Sequence, residues 1–330
     1  MKKKILSVLL LMTMLTVMVA GCGKKENGGN TKVVLNEVAH SIFYAPMYVA
    51  IEEGYFEDMG IDLELVTGFG ADKTMTALLT GEADIGFMGS ESSIYTYVNG
   101  AKDYAVNFAQ LTQRAGNFLV SREPVNDFDW KDLEDSEILG GRAGGMPQMV
   151  FEYILRKNGM KPASMNIDQS IDFGSTAAAF SGGKGDYTVE FEPHATLLEE
   201  QGKGYVVASL GEASGYVPYT AFCALKSYMD ENEEVIEKFT KALQMGMDYV
   251  NSHTSEEIAE IILPQFDGTD IKTIETIVER YRLQDTWKED LVFEESSFDL
   301  LQDILIEGEQ LKEKVPYEDL VTTKYAEAVK

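Results

Sequence analysis

The stretch that decides the fold runs over residues 44–86. It reads Ala45-Pro46-Met47-Tyr48-Val49-Ala50, then Glu53-Gly54-Tyr55-Phe56, then Gly60-Ile61 with Leu63, and closes on Gly81-Glu82-Ala83-Asp84-Ile85-Gly86. Residues 44–53 read as a helix, with Met47, Ala50 and Ile51 on one side. Residues 61–66 read as a strand, 72–80 as a helix and 84–88 as a strand. Upstream, 33–38 is a strand; downstream, 90–99 is a helix and 104–110 a strand. Short apolar strands alternating with helices of this length predict an α/β domain on a mainly parallel sheet.

A second set of the same kind follows. Residues 137–140, 167–172, 186–191 and 205–209 read as strands, with helices over 148–158 and 176–181. After a strand at 219–225 the chain turns helical. Over 233–250, Val235, Phe239, Leu243, Met247 and Val250 form one apolar stripe. Thr254-Ser255-Glu256-Glu257 has the pattern of a capping box, and Ser296-Ser297-Phe298-Asp299 opens another helix. The two α/β sets echo each other. Phe69-Gly70-Ala71 lies 15 positions before Asp84, and Phe173-Gly174-Ser175 lies 13 positions before Asp186. Each time a glycine turn feeds an aspartate and then an apolar strand. The echo fits two lobes built on one plan.

Composition narrows the function. The chain has 330 residues, enough for two lobes, and its 45% hydrophobic content is that of a globular protein. Twenty-eight basic residues against 55 acidic ones, a net charge of -27, exclude a nucleic-acid binder, which needs a positive face. Two cysteines and three scattered histidines leave too little for a zinc site or a disulfide scaffold. No metal and no cofactor are expected.

Lys2, Lys3 and Lys4 precede an apolar run over residues 5–20, too short for a membrane span and suited to the core of a secretory signal. Val19-Ala20-Gly21-Cys22 resembles the bacterial lipoprotein lipobox. That resemblance implies a signal peptide over 1–21, a lipid-modified Cys22 and a solvated tether over 22–32. The protein is then expected at the outer face of the cytoplasmic membrane, held through Cys22. Cys223, in an apolar strand, is expected to pack as an inert hydrophobe.

The quoted stretch, together with residues 182–186 and Phe191-Glu192-Pro193, resembles the type II solute-binding proteins of ABC importers. The nearer branch carries sulfonates, taurine, nitrate or thiamine-pyrimidine precursors. The resemblance covers nearly all of the chain after the tether. It implies the type II periplasmic-binding-protein fold, α/β, with two lobes, two hinge crossings and a helical C-terminal region. Residues 33–117 and 223–330 would form the first lobe and 118–222 the second. The crossings are expected near 116–121 and 215–222.

In such sheets the loops beyond the carboxyl ends of the strands face the ligand. That rule selects Glu37, His40, Phe43 and Tyr44 after the first strand, and Thr67, Gly68 and Gly70 after the second. It selects Gly89, Ser90 and Glu91 after the third, and Gln113, Arg114 and Asn117 after the fourth. From the second lobe come Gly144, Gly145, Met146 and Gln148, then Phe173 and Gly174, then Glu190 and Glu192. Tyr216 and Tyr219 lie by the return crossing. Phe43, Tyr44, Phe173, Phe191, Tyr216 and Tyr219 could sandwich a flat ring or pack in the core. Glu37, Glu91, Glu190 and Glu192 accept hydrogen bonds from an amine, amide or cation and repel a sulfonate or nitrate. Glu190 and Glu192, two apart on a strand, should share a side. Against this stand Arg114 and the glycine-rich run 140–147, which is either a tight strand-to-helix turn or an anion cradle at a helix start.

These readings converge on capture of a small solute, with a nitrogen heteroaromatic such as a thiamine-pyrimidine precursor favoured. The alternatives are a sulfonate, taurine or nitrate type of anion binder, an enzyme like the thiamine-pyrimidine synthases, and a ligand-sensing lipoprotein. No catalytic residue is evident. The expected partners are the small-molecule ligand, an ABC permease with its ATPase, and the membrane through a lipid anchor. No nucleic acid is expected, and the protein is expected to be a monomer.

Overall fold

The computed structural model describes residues 29–330. The signal, Cys22 and most of the tether expected from the sequence lie outside them. The tether's last two residues, Thr31 and Lys32, already belong to the first strand.

Two five-stranded sheets carry the chain. The first begins with β1 (Thr31–Glu37), α1 (Ala45–Glu52), α2 (Tyr55–Asp58), β2 (Ile61–Thr67) and α3 (Ala71–Thr80). It continues with β3 (Ile85–Met88), α4 (Glu91–Val98) and β4 (Ala105–Thr112). The second sheet contains β5 (Asn117–Ser121), β6 (Glu137–Leu139), α5 (Met146–Lys157), β7 (Asn166–Asp168), α6 (Phe173–Ser181) and β8 (Tyr187–Phe191). There follow α7 (His194–Glu200), β9 (Tyr205–Ser209) and α8 (Leu210–Ser214), and β10 (Thr220–Leu225) returns to the first sheet.

The strand orders are β2-β1-β3-β10-β4 and β7-β6-β8-β5-β9. They follow the same plan. In each, three parallel strands are followed by one antiparallel strand that has just arrived from the other sheet, β10 in the first and β5 in the second. That incoming strand makes both sheets mixed, where the sequence suggested mainly parallel ones. The outward crossing is complete before Asn117. Residues 117–121, expected as crossing chain, are a wholly buried strand hydrogen-bonded on both sides to β8 and β9. A strand of five residues with polar ends has no pattern of its own that separates it from linker.

The helical C-terminal part comprises α9 (Lys226–Glu231), α10 (Glu233–Ser252), α11 (Ser255–Ile262), α12 (Ile271–Leu283), α13 (Glu295–Glu307), α14 (Tyr317–Leu320) and α15 (Lys324–Val329). On α10 the buried stripe is Ile236, Phe239, Leu243, Met247 and Val250, and Val235 is only half-buried. Phe239 meets the rings of Phe56 at 5.0 Å and Phe222 at 5.5 Å, fastening the helix to the first lobe. Each such buried side chain contributes about 1.5–3 kcal/mol. Thr254 and Glu257 form the expected capping box at the start of α11. These helices are not confined to the first lobe. α13 packs on both α4 and α5, and α12 reaches α7 through Thr273 to Glu200 at 2.9 Å.

The crossings are buckled together. Arg114 donates to the Gly211 carbonyl at 3.1 Å and lies 4.1 Å over the Tyr216 ring. Tyr216 donates to Asp285 at 2.5 Å, and Gln284 donates to the Ala115 carbonyl at 3.2 Å. The outward crossing, the return crossing and the chain after α12 are therefore held as one unit.

A candidate ligand site where the two sheets meet

The carboxyl ends of β1, β3 and β8 and the start of β5 meet between the lobes. At the end of β1 the Glu37 carboxylate is fully buried and receives three donors. These are the Tyr48 hydroxyl at 2.6 Å, the Thr67 hydroxyl at 2.8 Å and His40 Nδ1 at 2.8 Å. His40 Nε2 in turn reaches the Gln265 carbonyl at 2.7 Å. Both ring nitrogens are engaged, and the hydrogen bond to Glu37 raises the His40 pKa against the opposing effect of burial. His40 thus braces the loop before α1 and has no ring nitrogen left for a ligand.

The aromatic candidates pack on one another. Phe43 lies 5.6 Å from Tyr219, edge to face, 5.3 Å from Tyr281 and 6.2 Å from Phe191. Tyr44 meets Phe87 at 4.5 Å. Trp287 Nε1 donates to the Phe43 carbonyl at 2.9 Å. A β-carbon at Gly116 would stand 2.6 Å from the Phe43 ring, so this part of the crossing requires glycine. Phe173 is the first residue of α6.

Beside this cluster lie Ser90, Glu91, Asn117 and Tyr219. Ser90 Oγ donates to the Pro218 carbonyl at 3.2 Å, which sets the start of α4 against the return crossing. Glu91, in the first turn of α4, is buried, and desolvation pushes its carboxyl up to about 7. The N–H groups of Glu91 itself and of Met146 pull the other way, so the start of α5 in the second lobe reaches a side chain of the first. Glu91 Oε2 has no hydrogen-bond partner. Asn117 Oδ1 accepts from the Tyr219 hydroxyl at 2.6 Å, whereas its Nδ2 has no partner. Desolvation first, and then the Glu91 charge among others, raise the pKa of Tyr44 and Tyr219.

The other carboxylates divide differently from the sequence expectation. Glu190 lies within β8, where Thr188 donates to Oε1 at 2.6 Å. Burial pushes it up to about 7, opposed by Thr188 and by Thr176 of α6. Its Oε2 has no partner. Glu192 does not share that environment, because β8 ends at Phe191 and period-two alternation ends with it. It accepts from Arg280 at 2.6 Å and from the N–H and hydroxyl of Thr196 at 2.9 and 3.0 Å. Burial raises its pKa and Arg280 opposes the rise.

The basic candidate is engaged in part, since the buried Arg114 Nε has no partner. Arg114 belongs to the hinge buckle. Arg142, in the glycine-rich run, bridges the lobes to Asp72 at 2.7 Å and approaches Asp172 at 3.8 Å. Gly70 precedes α3 beside this pair, and its β-carbon would meet Arg142 at 3.5 Å. Gly145 caps α5, and Gln148 turns back to the Gly144 N–H at 2.9 Å and on to Glu152. The sequence reading did not single out Asp72, Arg280, Tyr281 or Gln284. Their roles depend on partners remote in the chain, and no local motif marks them.

A groove of about 870 Å³ lies elsewhere, between β9 and α12. It is open to solvent, and its cations are spent, Lys272 on Glu275 and Arg280 on Glu192 and Glu199. Of the buried side-chain atoms without a partner, those of Gln110, Arg156 and Gln244 lie within single elements of the lobes, whereas Glu91 Oε2 and Asn117 Nδ2 come from elements of different lobes that meet at the junction, which marks it as the chemical centre. Among the described residues no cluster of histidine, cysteine, aspartate or glutamate could hold a metal ion, and no helix is long and apolar enough to cross a membrane.

Two sheets of one plan, exchanging a strand each and meeting at their carboxyl ends, define the periplasmic-binding-protein fold. Residues 42–257 match the family described as NMT1/THI5 like, and the chain belongs to that family. It is 47% identical over 311 residues to the candidate binding protein YtlA of Bacillus subtilis, covering 94% of this chain and 92% of that one. It is 22% identical over 241 residues to a 4-amino-5-hydroxymethyl-2-methylpyrimidine phosphate synthase of Candida albicans, covering 66% of each. Among solved structures, the ligand-binding component of an ABC-type import system from Staphylococcus aureus, with zinc bound, superposes with a TM-score of 0.74 at 14% identity. That match covers 91% of this chain and 99% of the other. The alkanesulfonate-binding protein SsuA of Xanthomonas axonopodis pv. citri gives 0.73 at 14% identity, over 89% and 99%. At these identities the structural likeness speaks for the fold alone.

Proposed function

We propose that this protein is the solute-binding component of an ABC-type importer, closing its two lobes on a small nitrogen-rich, preferably heteroaromatic solute. The observation that carries the reading is the pair of buried, unpartnered atoms at the lobe junction, Glu91 Oε2 and Asn117 Nδ2. Leaving such groups unsatisfied costs about 1–3 kcal/mol each, a cost that a ligand bridging the lobes removes. A ligand held better by the closed form than by the open one shifts the population toward closure. The permease then meets a closed, loaded protein.

The carboxyls at the junction support a hydrogen-bond-donating solute over a sulfonate or nitrate. Glu91 and Glu190 are buried, Arg142 is paired with Asp72, and Arg114 donates one amino group to the Gly211 carbonyl and stacks on Tyr216, which leaves only its buried Nε without a partner. The synthase relatives favour a pyrimidine among such solutes. A synthase-like activity in this chain is less well supported. His40 has both ring nitrogens engaged, and burial pushes the Cys223 thiol up to about 12. We further propose anchoring through a lipid on Cys22 at the outer face of the cytoplasmic membrane, and function as a monomer with a permease and its ATPase.

A thermal-shift screen over pyrimidines, flavins, sulfonates, nitrate and amino acids tests this. A ligand at 100 times its dissociation constant stabilises by about 2.7 kcal/mol, which is visible as a raised Tm. If no solute of the screen raises Tm, the reading falls; a response to sulfonates alone would replace the ligand class.

A further inference from the structure

We propose that Glu91 and Asn117 act as one reading head for a donor–acceptor edge on the ligand. An N–H of the solute donates to Glu91 Oε2, and an adjacent carbonyl or ring nitrogen accepts from Asn117 Nδ2. The proposal deepens the solute-binding reading and rests on it. The class of ligand is then a molecule with an amide-like edge: a carboxamide, a lactam or an amino-azine.

The geometry supports the pairing. Asn117 and Glu91 come from the starts of β5 and α4, in different lobes. Tyr219 links them: its hydroxyl donates to Asn117 Oδ1 at 2.6 Å, and Ser90, the residue before Glu91, donates to the carbonyl of Pro218, the residue before Tyr219, at 3.2 Å. The Tyr219 hydrogen bond fixes the amide orientation. Oδ1 is consumed by a donor, so the NH2 is what the side chain offers. The Glu91 end is built with similar care. A β-carbon at Gly89 would stand 2.1 Å from Glu91 Oε2, so the glycine makes room for the carboxyl to fold back over the end of β3. Met146 N–H holds the group from the second lobe and Oε2 is left over. Asn117 is fully buried and Glu91 is 2% exposed, so closure leaves no water surface to satisfy either atom. Glu190, also with an unpartnered oxygen, is held beneath the first turns of α6 by Thr188 and Thr176 and forms no part of the head.

A ligand with only an acceptor leaves Glu91 unsatisfied, and an anion meets its charge. Both are rejected by the cost of a buried group without a partner rather than by size.

The test is calorimetric titration of the full chain with four probes. Cytosine and nicotinamide carry donor and acceptor on one edge, pyrimidine carries acceptors only, and taurine carries a sulfonate. Binding of cytosine or nicotinamide with at least tenfold preference over pyrimidine and taurine is expected, since a hydrogen bond to a charged group is worth about tenfold or more. Glu91→Gln and Asn117→Asp, each shown by its melting curve to be folded, should each weaken the bound probe about tenfold. The proposal is overturned if pyrimidine or taurine binds as well as cytosine and nicotinamide, or if both variants bind within twofold of wild type. In that case the solute-binding reading survives it. Silence of all four probes, together with silence of the wider solute screen, overturns both.

Discussion

Asp84 grips Val34 twice, donating its N–H to the Val34 carbonyl at 2.9 Å and accepting the Val34 N–H on its carboxylate at 2.8 Å. Asp186 does the same to Glu137 in the other lobe, at 2.8 and 2.9 Å. Each aspartate stands just before a parallel strand and clasps the strand beside it. The recurrence of glycine turn, aspartate and apolar strand in the sequence is therefore a repeated structural device that sets the register of both sheets.

Asp84→Ala and Asp186→Ala should each destabilise the protein by about 1–2 kcal/mol, because each leaves a strand N–H without its acceptor. Asp84 is half-buried and Asp186 exposed, so the first should cost more. Asparagine, which keeps an acceptor oxygen, should recover much of the loss. Urea denaturation of the four variants measures this ranking; equal midpoints for alanine and wild type would contradict it.

Glu91 and Glu190 are raised from 4.5 to about 7, so between these pH values the folded state holds protons that the unfolded state has lost. Their contribution to stability therefore falls as pH rises through that window. Replacing either by glutamine should flatten the pH dependence and stabilise the empty protein at pH 8, on the order of 2 kcal/mol. Melts at pH 5 and pH 8 decide it, with the variants gaining on wild type only at the higher pH.

Arg280 holds Glu192 at 2.6 Å in a setting where Glu192 is 1% exposed. Arg280→Ala should cost about 3–5 kcal/mol by stranding a buried charge. Adding Glu192→Gln should restore part of that loss. A double variant no more stable than Arg280→Ala in chemical denaturation would mean that the lost packing over Phe118, 5.2 Å away, dominates instead.

Arg142 and Asp72 tie the lobes across the cleft, but their side chains are 51% and 60% exposed. Arg142→Ala should change global stability by less than about 1 kcal/mol while loosening closure. Spin labels at Lys102 and Lys161, one on each lobe, should report a broader interlobe distance in the variant. Wild type should move toward it in 1 M salt, where screening acts over about 3 Å. Unchanged distributions would show that the pair does not hold the lobes.

Much of the fold was legible because it is written in short-range patterns. The alternation of strands and helices, the glycine turns before Asp84 and Asp186 and the capping box at Thr254 depend on neighbours within a turn or two. The buried strand at Asn117 was not legible. It is short, and only the strands on either side of it, reached through distant chain, make it a strand. His40 illustrates the same limit at the site. As a lone histidine after a strand it had the position of a ligand group, and Gln265, remote in sequence, turned it into a brace.

By itself the sequence determined the α/β class, the two repeated units and the loops that face one another, since periodicity and turn chemistry are local properties. Only the tertiary structure decided which carboxylates are already paired. Arg280 satisfies Glu192, while Tyr48, Thr67 and His40 fill Glu37; Glu91 and Asn117 each keep one buried atom without a partner. The reason is physical: hydrogen-bond satisfaction and desolvation depend on what the fold brings within about 3 Å, and that distance has no fixed counterpart along the chain.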